Sequence, residues 1–341
     1  MGQTIYGDIP EEAGVNLSAT FLEVGQPYMM VLNFAQHDVI PKNKSQRMKW
    51  RRYEPLPATP KVLQEGVTPK PGKLKTTDVY ADLEEYGDLL TFSNRVTETH
   101  EDPVLDQFTT RLGESSGEML ENVAIAHFLA GTNAFHANGD TRAEVNTKVS
   151  KALLRKAIKA LKVNRARFHT RMLKSTNGYG TVAIPPSYVG ICHPAVTPDL
   201  QDIPGFKRVE DYGQTQAWDH EIGAFENVRF LEEDLMLPWE DMGGVVSAGL
   251  ASTSGVKCDV YPILIFGKDA FGAVALKGYK SQVADSKGER ILPVELKVIQ
   301  PDRIDKSDPL GQRGFVGYRT WFACEILQDL WMTRLEVAAT E

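Results

Sequence analysis

The sequence is poor in the features that announce a catalyst, a secreted scaffold or a membrane protein. Only three cysteines occur in 341 residues, Cys192, Cys258 and Cys324, far apart and without a CxxC pair. That spacing argues against a disulfide framework or a zinc ribbon. It leaves the three as small buried apolar residues of a reducing compartment. No apolar run reaches the roughly 18 residues that a membrane helix needs. The opening MGQTIYGDIP has neither a basic nor an apolar stretch, so no signal peptide is expected. Gly2 follows Met1, but Tyr6 stands where a myristoylation signal has Ser or Thr. A soluble chain made in a cytosol is the expectation.

Catalytic motifs are missing too. There is no P-loop, no GxGxxG after a strand, no GxSxG and no HExxH. Cys192 and His193 adjoin, but no second ligand pair lies near them in sequence, so they read as strand residues rather than a zinc site. The acidic LEED at 231–234 reads as a solvated turn rather than a cation site. The seven histidines are scattered. No cofactor, metal or catalytic residue is expected, and a soluble enzyme of unassigned α+β fold has no positive evidence.

What is present is an ordinary globular composition, 42% hydrophobic and 24% charged, in a chain long enough for two or three domains. The net charge of −7 is unevenly spread. Residues 42–75 hold ten Lys/Arg against Glu54 and Glu65, and residues 148–174 hold ten with no acid. Residues 199–241 hold twelve Asp/Glu against Lys207, Arg208 and Arg229. Three readings remain open: solvated faces, nucleic-acid binding, or basic elements of one copy meeting acidic surfaces of the next.

Along the chain, residues 1–47 lack steady periodicity apart from the apolar YMMVLNFA at 28–35, which reads as part of an arm packed on something else. Met48 to Pro69 carries Pro55, Pro57, Pro60 and Pro69, which leaves only an edge ribbon. Pro71-Gly72 marks its turn, and the return strand alternates with Val79, Ala81 and Leu83 on one face. Asp102-Pro103 opens a long helix with Leu105, Phe108, Leu112, Met119, Val123 and Ala126 on its stripe. It is expected to run to Phe135, about 33 residues and about 50 Å. GESSG at 113–117 either permits close packing or marks a bend, and NGD at 138–140 ends the element.

A second amphipathic helix is expected from Asn146 or Thr147, burying Val149, Leu153, Ala157, Ile158 and Leu161. Further strands are expected in YGTVAI, SYVGICH, AFENVRFLEED and YPILIFGKDAFGAVAL, with a capped helix start at TPDLQDI. The tail strands ILPVELKVIQ, FVGYRTWFACEIL and LWMTRLEVA are expected to return onto the long helix. The fold class is α+β, with no internal repeat and no low-complexity tract.

The stretches WRRYEPLPATPKVLQEGVTP, LKVNRARFHT, YVGICHPAVTPDL, EIGAFENVRFLEED and GFVGYRTWFACEILQDLWMTRLEV, spread from about residue 48 onward, fall in an order of arm, polar hairpin, long helix, α/β middle and returning β tail. In that order and on those stretches the chain resembles the tailed-phage major capsid proteins of the Hong Kong 97 type. More narrowly it resembles the coat-protein family named after phage N-four. The resemblance implies an N-terminal arm (1–47), a hairpin called the E-loop (48–96) and an axial domain (147–287). The peripheral domain would combine a spine helix (97–146) with the C-terminal strands (288–341).

It further implies an icosahedral head shell of hexamers and pentamers around double-stranded DNA. Scaffolding, portal and decoration proteins are the expected partners, with no sequence-specific DNA binding and no membrane. Synthesis would be in the host bacterial cytoplasm. The ribbon would lie across a neighbouring subunit, with Arg51, Arg52, Glu65, Lys70, Lys73 and Lys75 at that interface. An acidic total suits a shell around DNA, because it discourages the genome from sticking to the wall. An encapsulin-type compartment shell is the alternative with the same fold.

Overall fold

The computed structural model describes residues 29–95 except 42, 55, 57–59, 61, 63–64 and 66–71, then 104–169, 186–212, 217–277, 294–301 and 310–341. The chain begins with strands β1 (Gln36–Pro41), β2 (Arg47–Tyr53), β3 (Thr76–Asp82) and β4 (Glu84–Ser93). Helix α1 (Val104–Leu129), strand β5 (Ala134–His136) and helix α2 (Lys151–Val163) follow. Next come β6 (Tyr188–Cys192), α3 (Thr197–Gln201), β7 (Phe206–Arg208), β8 (Glu221–Phe225) and β9 (Val228–Glu232). The last strands are β10 (Tyr261–Phe266), β11 (Phe271–Lys277), β12 (Val294–Ile299), β13 (Arg313–Ile326) and β14 (Met332–Val337).

Two sheets and a ribbon organise these elements. β13 is the centre of a five-stranded sheet, with β4 along one side and β11 and β12 sharing the other, and β1 extends it beside β11. The second sheet has seven strands in the order β5-β14-β10-β6-β9-β8-β7. β2 and β3 form a separate antiparallel pair. β6 and β10 are buried at every residue, which is why YVGIC and YPILIF read as continuous apolar runs rather than alternating ones.

The larger core lies between the two sheets, where Leu120, Ala124 and Phe128 of α1 meet Ile191, Leu264, Phe266 and Phe271. A second core fills the other face of the seven-stranded sheet, under Leu154, Ala157, Ile158 and Leu161 of α2. All five residues expected on the α2 stripe are buried. In α1 the small residues of GESSG are a packing face, not a bend: the helix runs unbroken through them, and Gly113, Ser116 and Gly117 are buried.

Several expected boundaries move, each for a long-range reason. α1 stops at Leu129 rather than Phe135 because Arg334 caps it, donating to the carbonyls of Leu129 and Gly131. The residues beyond it join β14 as the parallel strand β5, and Asn138-Gly139-Asp140 is the turn after that strand, with Gly139 at φ 69°. Ala126, expected on the buried stripe, is exposed. α2 starts at Lys151, with Ser150 accepting from Leu153 N at 3.3 Å, because Thr147 and Lys148 are extended beside Ala338.

AFENVRFLEED is a hairpin of two strands turning at Glu226–Asn227, with Glu226 at φ 49°. YPILIFGKDAFGAVAL is also two strands, one in each sheet. YGTVAI lies outside the described residues. Of the tail, β13 packs on α1, where Cys324 Sγ lies 3.8 Å from the Val123 carbonyl, whereas β14 joins the seven-stranded sheet instead.

The three cysteines are free and buried. Burial pushes Cys192 and Cys324 up to about 12 and raises Cys258 as well, so none is a thiolate at neutral pH. A thiol reagent added to the native protein should therefore label none of them within minutes and all three after urea. Rapid labelling of the native chain would show that one of them reaches the surface.

Candidate functional site

The β2–β3 ribbon is anchored at its base and bare beyond it. Ala81 and Leu83 pack with Ile40, Val274 and Ala323, and Met48, Trp50 and Trp321 cover that cluster. Trp50 Nε1 donates to Asp38 Oδ2 at 2.5 Å. The ribbon base thus buries Ala81 and Leu83 of the expected face against its own five-stranded sheet, with Val79 half-buried. Past Tyr53 the apolar side chains stand in solvent: Tyr53 is 59% exposed, Leu56 62%, Val62 93% and Leu74 55%. A two-stranded hairpin is at best marginally stable alone, and these side chains have no cover within the described part of the subunit.

The ribbon charges are largely answered within the ribbon. Arg47 pairs with Asp82 at 2.5 Å, and Asp78 takes both Lys49 at 2.5 Å and Arg51 at 2.9 Å. Hydrogen bonds from Arg51 and Lys49 pull Asp78 down to about 2, although all three are solvated. Of the residues expected at an interface, Arg51 is therefore committed across the strand pair, and Arg52 reaches the Leu327 carbonyl at 3.3 Å. Lys75 holds the ladder through its carbonyl, which accepts from Glu54 N at 2.9 Å. The side chains of Glu65, Lys73 and Lys75 are exposed, and Lys70 lies outside the described residues.

The other basic and acidic stretches also meet within one subunit. Lys148 lies 3.4 Å from Asp199, and Arg155 lies 2.6 Å from Glu226. Asp199 takes Thr340 N and Oγ1 as well, at 2.9 and 2.8 Å. The segregation seen along the sequence is thus answered in part by cis pairing, with the open basic charge left on the solvent side of α2. The Cys192-His193 pair is ordinary strand end: Cys192 is buried, and His193 Nδ1 accepts from Ala195 N at 3.1 Å. Among the described residues, no group of three or more His, Cys, Asp or Glu is placed to hold a metal ion.

One charged residue was not singled out by sequence. Glu121, fully buried on α1, accepts from the backbone N–H groups of Val31 and Leu32 and so ties the apolar segment after residue 28 to the long helix. Met29, Val31 and Leu32 are buried there, so this part of the expected arm packs on its own subunit. Burial pushes Glu121 up to about 8 despite those donors, with Glu233 adding to the rise. Glu233, the buried acid of LEED, is itself pushed up to about 7 by burial.

A carboxyl raised on folding stabilises the fold fully below its ordinary value near 4.5 and loses that contribution as pH rises through about 8. Glu121→Gln should therefore flatten the fall in melting temperature between pH 5 and pH 8. Parallel curves for variant and native chain would show that Glu121 does not carry the dependence. The available sequence signal was an acid on the face of α1 that also holds Leu120, Ala124 and Ile125.

Comparison with known proteins assigns the class. Residues 76–318 match the family model for phage capsid proteins, and the chain belongs to that family. Its fold is the Hong Kong 97-type capsid fold. It resembles the capsid of Ralstonia phage GP4 at a TM-score of 0.65 and 12% identity, over 90% of this chain and 88% of the other. It also resembles the capsid of cyanophage Pam1 at 0.62 and 11%, over 93% and 92%. In sequence it is 22% identical over 275 residues to the major capsid protein of Pseudomonas phage KPP21. That alignment takes in 75% of this chain but 66% of the relative, just under two thirds of its length.

Proposed function

We propose that the chain is a major capsid protein, a structural subunit without catalysis that self-assembles into an icosahedral head shell around phage double-stranded DNA. The observation that carries this reading is the ribbon, anchored at Trp50 and Ala81 yet exposing Tyr53, Leu56, Val62 and Leu74 beyond its base. Apolar side chains at the end of an arm gain a core only when another molecule supplies it. A second copy is the partner that a shell subunit always has. The N-four coat family is the narrower assignment we favour, on the sequence stretches quoted above.

In this reading the five-stranded sheet with α1 is the peripheral domain, and the seven-stranded sheet with α2 is the axial domain that gathers in pentamers and hexamers. The free part of the E-loop is the β2–β3 ribbon and its tip, because β4 lies within the five-stranded sheet. Scaffolding, portal and decoration proteins are further partners that such a subunit would meet, after synthesis in the bacterial cytoplasm. Electron microscopy of the purified protein tests the function: closed shells support it. Monomers and small oligomers under all assembly conditions, scaffold included, would refute it.

A further inference from the structure

The seven-stranded sheet carries unlike surfaces at its two ends. β6 and β9 run parallel, pairing Tyr188 with Val228 at one end and Cys192 with Glu232 at the other. At the first end lies the Glu226–Asn227 turn, and α2 finishes there, where Asn164 Nδ2 donates to the Leu330 carbonyl just before β14. A shallow depression of about 480 Å³ opens at this end between α2 and the turn, lined by Arg155, Ile158, Lys159, Lys162, Val163 and Glu226. Its floor is aliphatic, with Val163 70% exposed, and its rim is basic. Arg155 is used by Glu226 and Lys162 Nζ donates to Asn227 Oδ1, but Lys159 is exposed on the rim.

At the opposite end the chain leaves β9 and returns to β10 through a finger, residues 237–257. The bridges Trp239–Val260 and Val245–Lys257 hold it, and Gly244 N donates to the Val145 carbonyl at 2.8 Å, so it is a built projection. The finger exposes Leu237 at 68%, Met242 at 53%, Val245 at 74% and Val256 at 64%. Glu240 is exposed among them and Asp241 is half-buried. One end of the sheet is thus apolar with Glu240 as its exposed acid and Lys257 beside Val256, and the other is apolar with base.

We infer that the 237–257 finger of one copy seats in the basic depression beside Lys159 and Val163 of a second copy. Complementary charge, Glu240 against Lys159, and apolar side chains exposed on both surfaces argue for a second copy as the occupant. Because the two surfaces lie at opposite ends of one molecule, the contact is head-to-tail, the kind that forms rings when the rotation from copy to copy closes. The inference rests on the capsid reading, which supplies the need for such rings.

The test is a charge exchange at exposed positions, Lys159→Glu and Glu240→Lys, singly and together, with light scattering and electron microscopy of the full chain. Circular dichroism melting checks each fold. Each single variant should raise the concentration needed for assembly roughly tenfold, since a like-charge contact then recurs in every subunit. The double variant should assemble near the native concentration. Val245→Asp gives a second measure and should also block assembly while melting normally. Single variants that assemble like the native chain, or a double variant that fails to recover, would overturn this contact and leave the finger to a different partner, with the capsid reading intact. A native chain that never forms shells would overturn both.

Discussion

Arg229→Met should cost on the order of 3–5 kcal/mol, the range for removing one member of a buried ion pair. Total stabilities of single domains are only about 5–15 kcal/mol, so this is the most damaging single substitution we expect. The Arg229 and Glu221 side chains are 2% and 0% exposed. Arg229 Nε donates to Glu221 Oε1 at 2.7 Å, and the guanidinium lies 3.8 Å over the Trp218 ring. Glu221 also takes the Tyr212 hydroxyl and Trp218 N, each at 2.9 Å.

Without Arg229, the carboxylate that organises β8 and the loop before it would stay buried without a counter-charge. Methionine keeps most of the side-chain volume, so the loss would report the charge rather than a cavity. Pairing it with Glu221→Gln should recover much of the stability, because the uncompensated charge is then gone. Urea unfolding followed by fluorescence measures both. A single variant as stable as the native chain would show that water reaches this pair.

Deleting Thr68–Lys73 should have the opposite profile, a nearly unchanged subunit and a failed shell. Most of these residues lie outside those described, but the ribbon leading to them is bare past Tyr53, while its anchor at Trp50, Ala81 and Leu83 is untouched by the cut. The subunit therefore loses little when the tip goes. The assembly would lose a contact repeated in every copy, and even about 1.4 kcal/mol per contact is tenfold in an equilibrium constant. Circular dichroism melting should match the native chain, and micrographs of the same preparation should show open or fragile particles. A truncated chain that unfolds or aggregates would mean that the tip packs on its own subunit.

Much of the fold is legible in the sequence because its cause is local. Continuous apolar runs marked β6 and β10, and alternation marked β3 with Ala81 and Leu83 inward. Leu153, Ala157, Ile158 and Leu161, the expected buried positions within α2, follow from the helical period. What could not be read depends on residues far apart in the chain. The end of α1 is set by Arg334, about two hundred residues later, and the start of α2 by the extended pairing of Lys148 with Ala338.

The charge blocks were legible only in part for the same reason. Asp78 and Asp82 lie just beyond the basic stretch and pair with its Arg47, Lys49 and Arg51, and the acids at 199 and 226 are spent on Lys148 and Arg155. The ribbon was visible as a stretch that prolines bar from a central strand. Its anchoring tryptophan, with Asp38 as partner, was visible only in three dimensions. Glu121 was missed because an acid inside a helix ordinarily faces solvent, and nothing local says that Val31 and Leu32 will come to it.

Where the ribbon goes when subunits meet decides whether it is an assembly arm. A cryo-electron microscopy reconstruction of assembled particles answers this directly. It should show an icosahedral shell in which each subunit keeps the two sheets described here, with residues 54–75 laid over an adjacent subunit and Leu56, Val62 and Leu74 buried against it. Particles without icosahedral order, or a ribbon folded back on the subunit that carries it, would contradict the account.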